Sequence, residues 1–423
     1  MANIYVGFEQ HAAVAQWAAS SGYSEGDIVR PLAAPAANEE RCFRCTTAGT
    51  SGGSEPAWDV ETPGATTNDN DVVWTEVTGQ EAYAWSAPHA RLGKVGFSGT
   101  FWVDNGWVAN GDTIFVSEDH AETAAGIITV GSNIGSAAGP IQITCVDHTG
   151  SVPPVSADLR SSARVQTTGN NEIRVNSGGS DTRIVYRGIR FRAGSGASGT
   201  ANIALLSGNP ACRLKLINCE LVLLTSGASS YIDFGGTNSG QIELVNTTVE
   251  FGSTSQHIRK PGASGATWKN TPSAIVGATI PNALFGYAGD RSRGLVLDGV
   301  DLSALGSGKT IVANNTLSAE LRNCKLGASV TVAAVSTSPS QRVDAMLCDS
   351  GDTNYRSESY QYPGTLTTET GRVRSGGASD GVTPVSWKVV TTANAKWILP
   401  VECFSIGIWN ETVGSPVTAT IEI

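Results

Sequence analysis

One short pattern recurs through the middle of the chain and restricts its fold more than any other feature. It runs apolar, any residue, Asn or Gly, a small or β-branched residue, any residue, apolar. It reads Tyr186-Arg187-Gly188-Ile189-Arg190-Phe191, Leu216-Ile217-Asn218-Cys219-Glu220-Leu221 and Leu244-Val245-Asn246-Thr247-Thr248-Val249. A weaker copy is Ile275-Val276-Gly277-Ala278-Thr279-Ile280, followed by Leu297-Asp298-Gly299-Val300-Asp301-Leu302 and Leu321-Arg322-Asn323-Cys324-Lys325-Leu326. From Gly188 to Asn218, Asn246, Gly277, Gly299 and Asn323 the steps are 30, 28, 31, 22 and 24 residues. A period in this range marks a stacked repeat.

Asn and Gly share the third position because both tolerate the left-handed backbone region. The flanks alternate, as in Ile184/Tyr186, Leu214/Leu216 and Ile242/Leu244, which is the strand signature. Each repeat is therefore a strand, a sharp corner and a second strand. Stacking such circuits sets equivalent strands side by side, about 4.8 Å apart. The expected fold is all-β: a parallel β-helix whose inward residues form ladders, with Cys219, Thr247, Val300 and Cys324 in one small buried slot. The same register predicts that Arg190 meets Glu220, and Lys215 meets Glu243, on the outside.

With 423 residues, 49 of them Gly, and only 16% charged, the chain is β- and turn-rich yet apolar enough, at 40%, to bury a core. Helical periodicity is confined to 9–19 and 121–125. A net charge of −10 argues against nucleic acid as a partner. No apolar run is long enough for a membrane span and no secretory signal is visible, so synthesis in a cytoplasm is expected. The eight cysteines are scattered; Cys42 and Cys45 form one CxxC with no second pair or spaced His, so reduced structural thiols are expected, with no metal and no cofactor.

Residues 14–80 differ in style. Trp17, Tyr23-x-x-Gly26-Asp27-x-Val29, Phe43-x-Cys45-Thr46-Thr47-Ala48-Gly49-Thr50-Ser51-Gly52, Glu55-Pro56-x-Trp58 and Val72-x-Trp74 stand in order, with strands expected at 27–31, 41–46 and 71–77. This order resembles a small β module of tailed-bacteriophage virion proteins, itself similar to chitin-binding-type carbohydrate-binding domains. The resemblance covers about 65 residues. It implies that Trp17, Tyr23 and Trp58 stack on sugar rings, whereas the same rings in so small a module also serve as its core. The segment 111–122 resembles the opening coil of β-helix proteins, so circuits are expected from near residue 100 past 345. Nine or ten of them make a rod of roughly 45 Å. The segments Val385-Ser386-Trp387-Lys388 and Ile408-Trp409-Asn410-Glu411-Thr412 resemble C-terminal pieces of phage structural proteins. The expected organisation is an N-terminal arm and module (1–85), a right-handed parallel β-helix (86–365) and a C-terminal antiparallel β-sandwich (366–423).

Glycoside hydrolysis would need two carboxyl groups about 5–9.5 Å apart. Asp298 and Asp301, with Glu250 and Asp290 further off, are the candidates, but no His, Tyr or Arg cluster accompanies them in sequence. His11, His89, His120, His148 and His257 are isolated, and no nucleophile triad or phosphate loop occurs. The expectation is a non-enzymatic virion protein, decorating the capsid as a homo-oligomer. Its expected partners are the major capsid protein or tail proteins, and a cell-surface glycan. The alternative is a tail fibre or tailspike.

Overall fold

The computed structural model describes residues 2–33, 40–60, 63–92, 108–132, 136–177, 182–196, 199–207, 212–235, 240–260, 265–286, 294–313, 317–333, 342–349 and 355–361. The expected C-terminal sandwich, Asp290 and Cys403 lie outside them.

The fold is all-β, dominated by three parallel sheets of twelve, eight and six strands. Successive strands visit the sheets in turn. Arg183–Arg187 lies in the twelve-stranded sheet, Ile189–Gly196 in the six-stranded one and Ile203–Ser207 in the eight-stranded one; Arg213–Ile217 then pairs in parallel with Arg183–Arg187. The inward ladder of the long sheet runs through Ile4, Ile114, Ile143, Tyr186, Leu216, Leu244, Trp268, Leu297, Leu321 and Ala345, register partner to register partner. All are buried, and each Ile or Leu among them contributes roughly 1.5–3 kcal/mol of apolar transfer. Ile128, Ile173, Ile203, Ile232, Ile258 and Phe285 form the matching ladder of the eight-stranded sheet.

The corners behave as their residues dictate. Gly188, Asn218, Asn246, Gly299 and Asn323 all have positive φ, between 47° and 72°. Three corner N–H groups join the ladder: Gly188 donates to the Ile217 carbonyl at 2.9 Å, Asn218 to Val245 at 3.0 Å and Asn246 to Lys269 at 3.1 Å. The Asn246 amide also donates to the Asn218 side-chain oxygen at 2.9 Å. One corner differs from the expected register. Gly277 has φ 82° but follows Ile275–Val276, which pairs with Val249–Glu250 in the six-stranded sheet. The equivalent corner is Asn270, φ 49°, because Lys269 pairs with both Val245 and Asp298. The true steps are therefore 30, 28, 24, 29 and 24 residues. The copy Trp268-Lys269-Asn270-Thr271-Pro272-Ser273 ends without its second apolar residue, which conceals it.

The slot after the corner holds Cys219, Thr247, Thr271, Val300 and Cys324, all buried. Three of its polar members donate backward: Cys219 to the Tyr186 carbonyl at 3.7 Å, Thr247 to Leu216 at 3.3 Å and Cys324 to Leu297 at 3.5 Å. Both expected charge pairs form, Arg190–Glu220 at 3.3 Å and Lys215–Glu243 at 3.1 Å, and Lys269 reaches Glu243 from the other side. Such half-exposed pairs are worth about 0.2–1 kcal/mol each.

Asn3–Val6 is the first strand of the long sheet, paired in parallel with Thr113–Ser117 across the whole intervening module. Its outer edge is covered by the segment after the module: Tyr5 donates to the Gly79 carbonyl, and His89 to that of Tyr5. At the other end Tyr355–Gln361 lies antiparallel on Arg342–Asp349. Both contacts cover strand edges that would otherwise invite pairing. The helix read over 9–19 is only Phe8–Ala13, because Val14 turns extended at ψ 134° and Gln16 bridges to Arg30. The apparent helix at 121–125 is the strand Ala121–Ala124. No helix among the described residues is long and apolar enough to cross a membrane.

Candidate functional site

The small module is a four-stranded antiparallel sheet, Ile28–Val29, Phe43–Thr47, Val72–Glu76 and Thr66–Asp69 in spatial order, beside a two-stranded pair of Gly22–Tyr23 and Gly49–Thr50. It brings the three proposed sugar-stacking residues together in one aromatic cluster. Trp17 is only 3% exposed. Tyr23 and Trp58 are half-buried and pack on the same core; Tyr23 meets Trp74 edge-on at 4.8 Å, and Trp58 lies 4.3 Å from Phe43. The residue that orders the cluster is Asp69, which is buried. Its Oδ2 accepts the indole N–H of Trp17 at 2.7 Å and of Trp74 at 3.1 Å, while Oδ1 accepts the Gly52 N–H at 2.8 Å. Neither Asp69 nor Trp74 stood out as a site residue in the sequence, since the contact spans 52 positions. Trp17 presents no open face; Tyr23 and Trp58 keep a surface edge. Cys42 and Cys45 face two different apolar clusters, so the CxxC thiols do not converge.

Under this module lies a buried ionisable group of residues. His11, Arg30, Glu40 and Arg41 line a recess of about 50 Å³, room for a water molecule. Burial holds His11 down at about 4 against an ordinary 6.5, with Glu40 pulling it the other way. Burial likewise pushes Glu76 up to about 7 from 4.5, opposed by Thr78 and Arg41. The signs are opposite in stability. His11, depressed, contributes stability that is present above pH 6.5 and is lost as pH falls toward 4. Glu76, raised, contributes stability that is present below pH 4.5 and is lost as pH rises through 7. Each spans at most about 3 kcal/mol, so they offset each other across the same window. In Glu76→Gln, thermal melts should show stability falling, relative to His11→Gln, from pH 6.5 to 4. In His11→Gln they should show it rising on acidification from pH 7 to 4.5. Asp233, present in both variants, adds the same change to each. Parallel pH profiles of the two variants would contradict this assignment.

The carboxylate candidates are engaged by the neighbouring circuits. Asp298 Oδ1 accepts the Asn323 amide at 3.3 Å, and Asp301 pairs with Lys325 at 3.5 Å. Glu250 sits in the six-stranded sheet, away from the strand that carries both. Among the described residues no group of three or more His, Cys, Asp or Glu side chains could hold a metal ion.

The outer face of the eight-stranded sheet holds the chemistry that sequence order scattered. Register sets Tyr231 beside His257 and Asp233 beside Arg259. The Arg259 guanidinium holds the Asp233 carboxylate through two contacts, 2.8 and 3.3 Å, and lies 3.7 Å from the centre of the Tyr231 ring. His257 stacks on that ring at 6.4 Å. Burial pushes Asp233 up to about 6 against the pull of Arg259, and holds His257 below its ordinary range. Glu172 and Arg174 pair two circuits earlier on the same sheet. An aromatic ring flanked by a cation, an imidazole and a carboxylate offers stacking and hydrogen-bonding groups together. The signal was absent from the sequence because each partner is one circuit away.

No protein-family model, no curated protein and no solved structure matches the chain.

Proposed function

We propose that the three parallel sheets form one right-handed parallel β-helix and that the protein is a structural component of a tailed-bacteriophage particle. In this reading it decorates the capsid surface in contact with the major capsid protein and associates with copies of itself. The observation that carries the reading is the one-circuit register of the corners, in which every strand pairs with its equivalent in the next circuit. The hand follows from the general rule that parallel crossovers are right-handed. The covered edges of the long sheet suit a rod that stays discrete rather than polymerising. The place on a virion is supported by the resemblance of the Trp17-to-Trp74 module and of the C-terminal segments to phage proteins. Immunogold microscopy of purified particles tests it: label spread over the shell is the expected result, and particles free of label would sink the proposal.

The Tyr231, Asp233, His257 and Arg259 face favours a second reading, in which the protein sits at the tail and contacts a host glycan. Label confined to the tail tip would select it. On a glycan array, binding lost in Tyr231→Ala would locate the sugar on the sheet face, and binding lost in Trp58→Ala would locate it on the module.

A further inference from the structure

We propose that Cys324 and Cys348 are a redox pair inside the stack, able to close a disulfide that locks the last parallel strand of the long sheet onto the circuit before it. The pairing Lys325–Asp349 makes Cys324 and Cys348 register partners on neighbouring strands, and the Asp349 N–H donates to the Cys324 carbonyl at 2.8 Å. Both thiols are buried, at 1% and 0% exposure. They occupy the slot that Cys219, Thr247, Thr271 and Val300 fill in earlier circuits, and among the described residues only here do two cysteines fall in successive circuits. Each thiol donates backward to the preceding circuit, Cys324 to Leu297 at 3.5 Å and Cys348 to Leu321 at 3.7 Å. The neighbouring Cys348 thiol, together with burial, holds the Cys324 thiol protonated.

Geometry permits the bond. Adjacent strands lie about 4.8 Å apart, inside the disulfide range of roughly 4.4–6.8 Å between Cα atoms. The Cβ atoms must close by up to about 1 Å to reach the usual separation. The strand Arg342–Asp349 can supply this, since among the described residues the sheet beyond it has only Tyr355–Gln361. The oxidant is a small-molecule disulfide. One thiolate attacks it, releasing one small thiol and leaving a mixed disulfide. The second protein thiolate displaces the other small thiol. Two S–H bonds are lost, one S–S bond forms in the protein, and the small disulfide is reduced to two thiols. In a reducing cytoplasm the pair stays open, and outside the cell it closes.

The test uses the full chain, refolded in oxidised and reduced glutathione and, separately, folded first and then exposed to the same buffer. Remaining thiols are alkylated and the peptides mapped by mass. The expected result is a peptide joining Cys324 to Cys348, and a melting temperature higher by about 2–4 °C or more in the oxidised form. Cys324→Val, which places in the slot the residue already present as Val300, should fold and abolish both. A chain that is folded by circular dichroism after both treatments yet carries both thiols alkylated, or joins either to another cysteine instead, would overturn the proposal.

Discussion

Replacing Gly188 by alanine is expected to destabilise the parallel stack by about 3–5 kcal/mol, at the upper end of single substitutions. An added Cβ would lie 2.0 Å from the Arg160 carbonyl oxygen and 3.1 Å from the Cys145 Cβ, at a φ of 72°. The left-handed backbone alone costs roughly 1–2 kcal/mol; the rest comes from a backbone atom that cannot step aside. Arg160 is fixed there because its N–H donates to the Cys145 carbonyl and its side chain pairs with Asp147 at 2.6 Å. The same change at Gly299 meets nothing closer than the Asn270 side-chain oxygen at 3.3 Å, so it should cost only the backbone term of about 1–2 kcal/mol. Urea melts of the two variants separate clash from conformation; equal losses would show that the Arg160 contact is immaterial.

Asp69→Ala is expected to cost the small module about 3–5 kcal/mol, because it strands two buried indole N–H groups and the Gly52 N–H without an acceptor. Asp69→Asn keeps one acceptor oxygen and should cost less, about 1–3 kcal/mol. Tryptophan fluorescence during denaturation reads the effect directly, since Trp17 and Trp74 both donate to this carboxylate. A melt of Asp69→Ala that overlays the unsubstituted protein would remove Asp69 from its organising role. Because Trp17 is held in this way, any sugar contact on the module falls to the surface edges of Tyr23 and Trp58, and a loss of binding in Asp69→Ala would be indirect.

How far the fold could be read from the chain depended on whether the message was repeated. Gly188, Asn218, Asn246, Gly299 and Asn323 carry the same steric demand once per circuit, so the pattern survives variation in loop length. The Lys215–Glu243 and Arg190–Glu220 pairs followed because adjacent circuits share one register. Asn270 was concealed where Pro272 and Ser273 break the second half of the motif, and Gly277, a corner of another kind, took its place. Asp69, and the Tyr231–His257 and Asp233–Arg259 pairs, each depend on a single contact between distant positions, for which no repetition accumulates a signal. The strand Asn3–Val6 pairs with a partner 110 residues away, a separation at which no local pattern announces the contact.

That separation has a consequence for synthesis. A ribosome delivers about 5–20 residues per second, so Asn3–Val6 waits roughly 5–20 s before Thr113–Ser117 emerges to receive it. During that interval Ile4, Tyr5 and Val6 form a nascent sticky end, and the antiparallel module can mature first. Asn3–Val6 must stay available until its partner strand appears, so a chaperone that shields this segment during synthesis would raise the yield more than one acting on the folded chain.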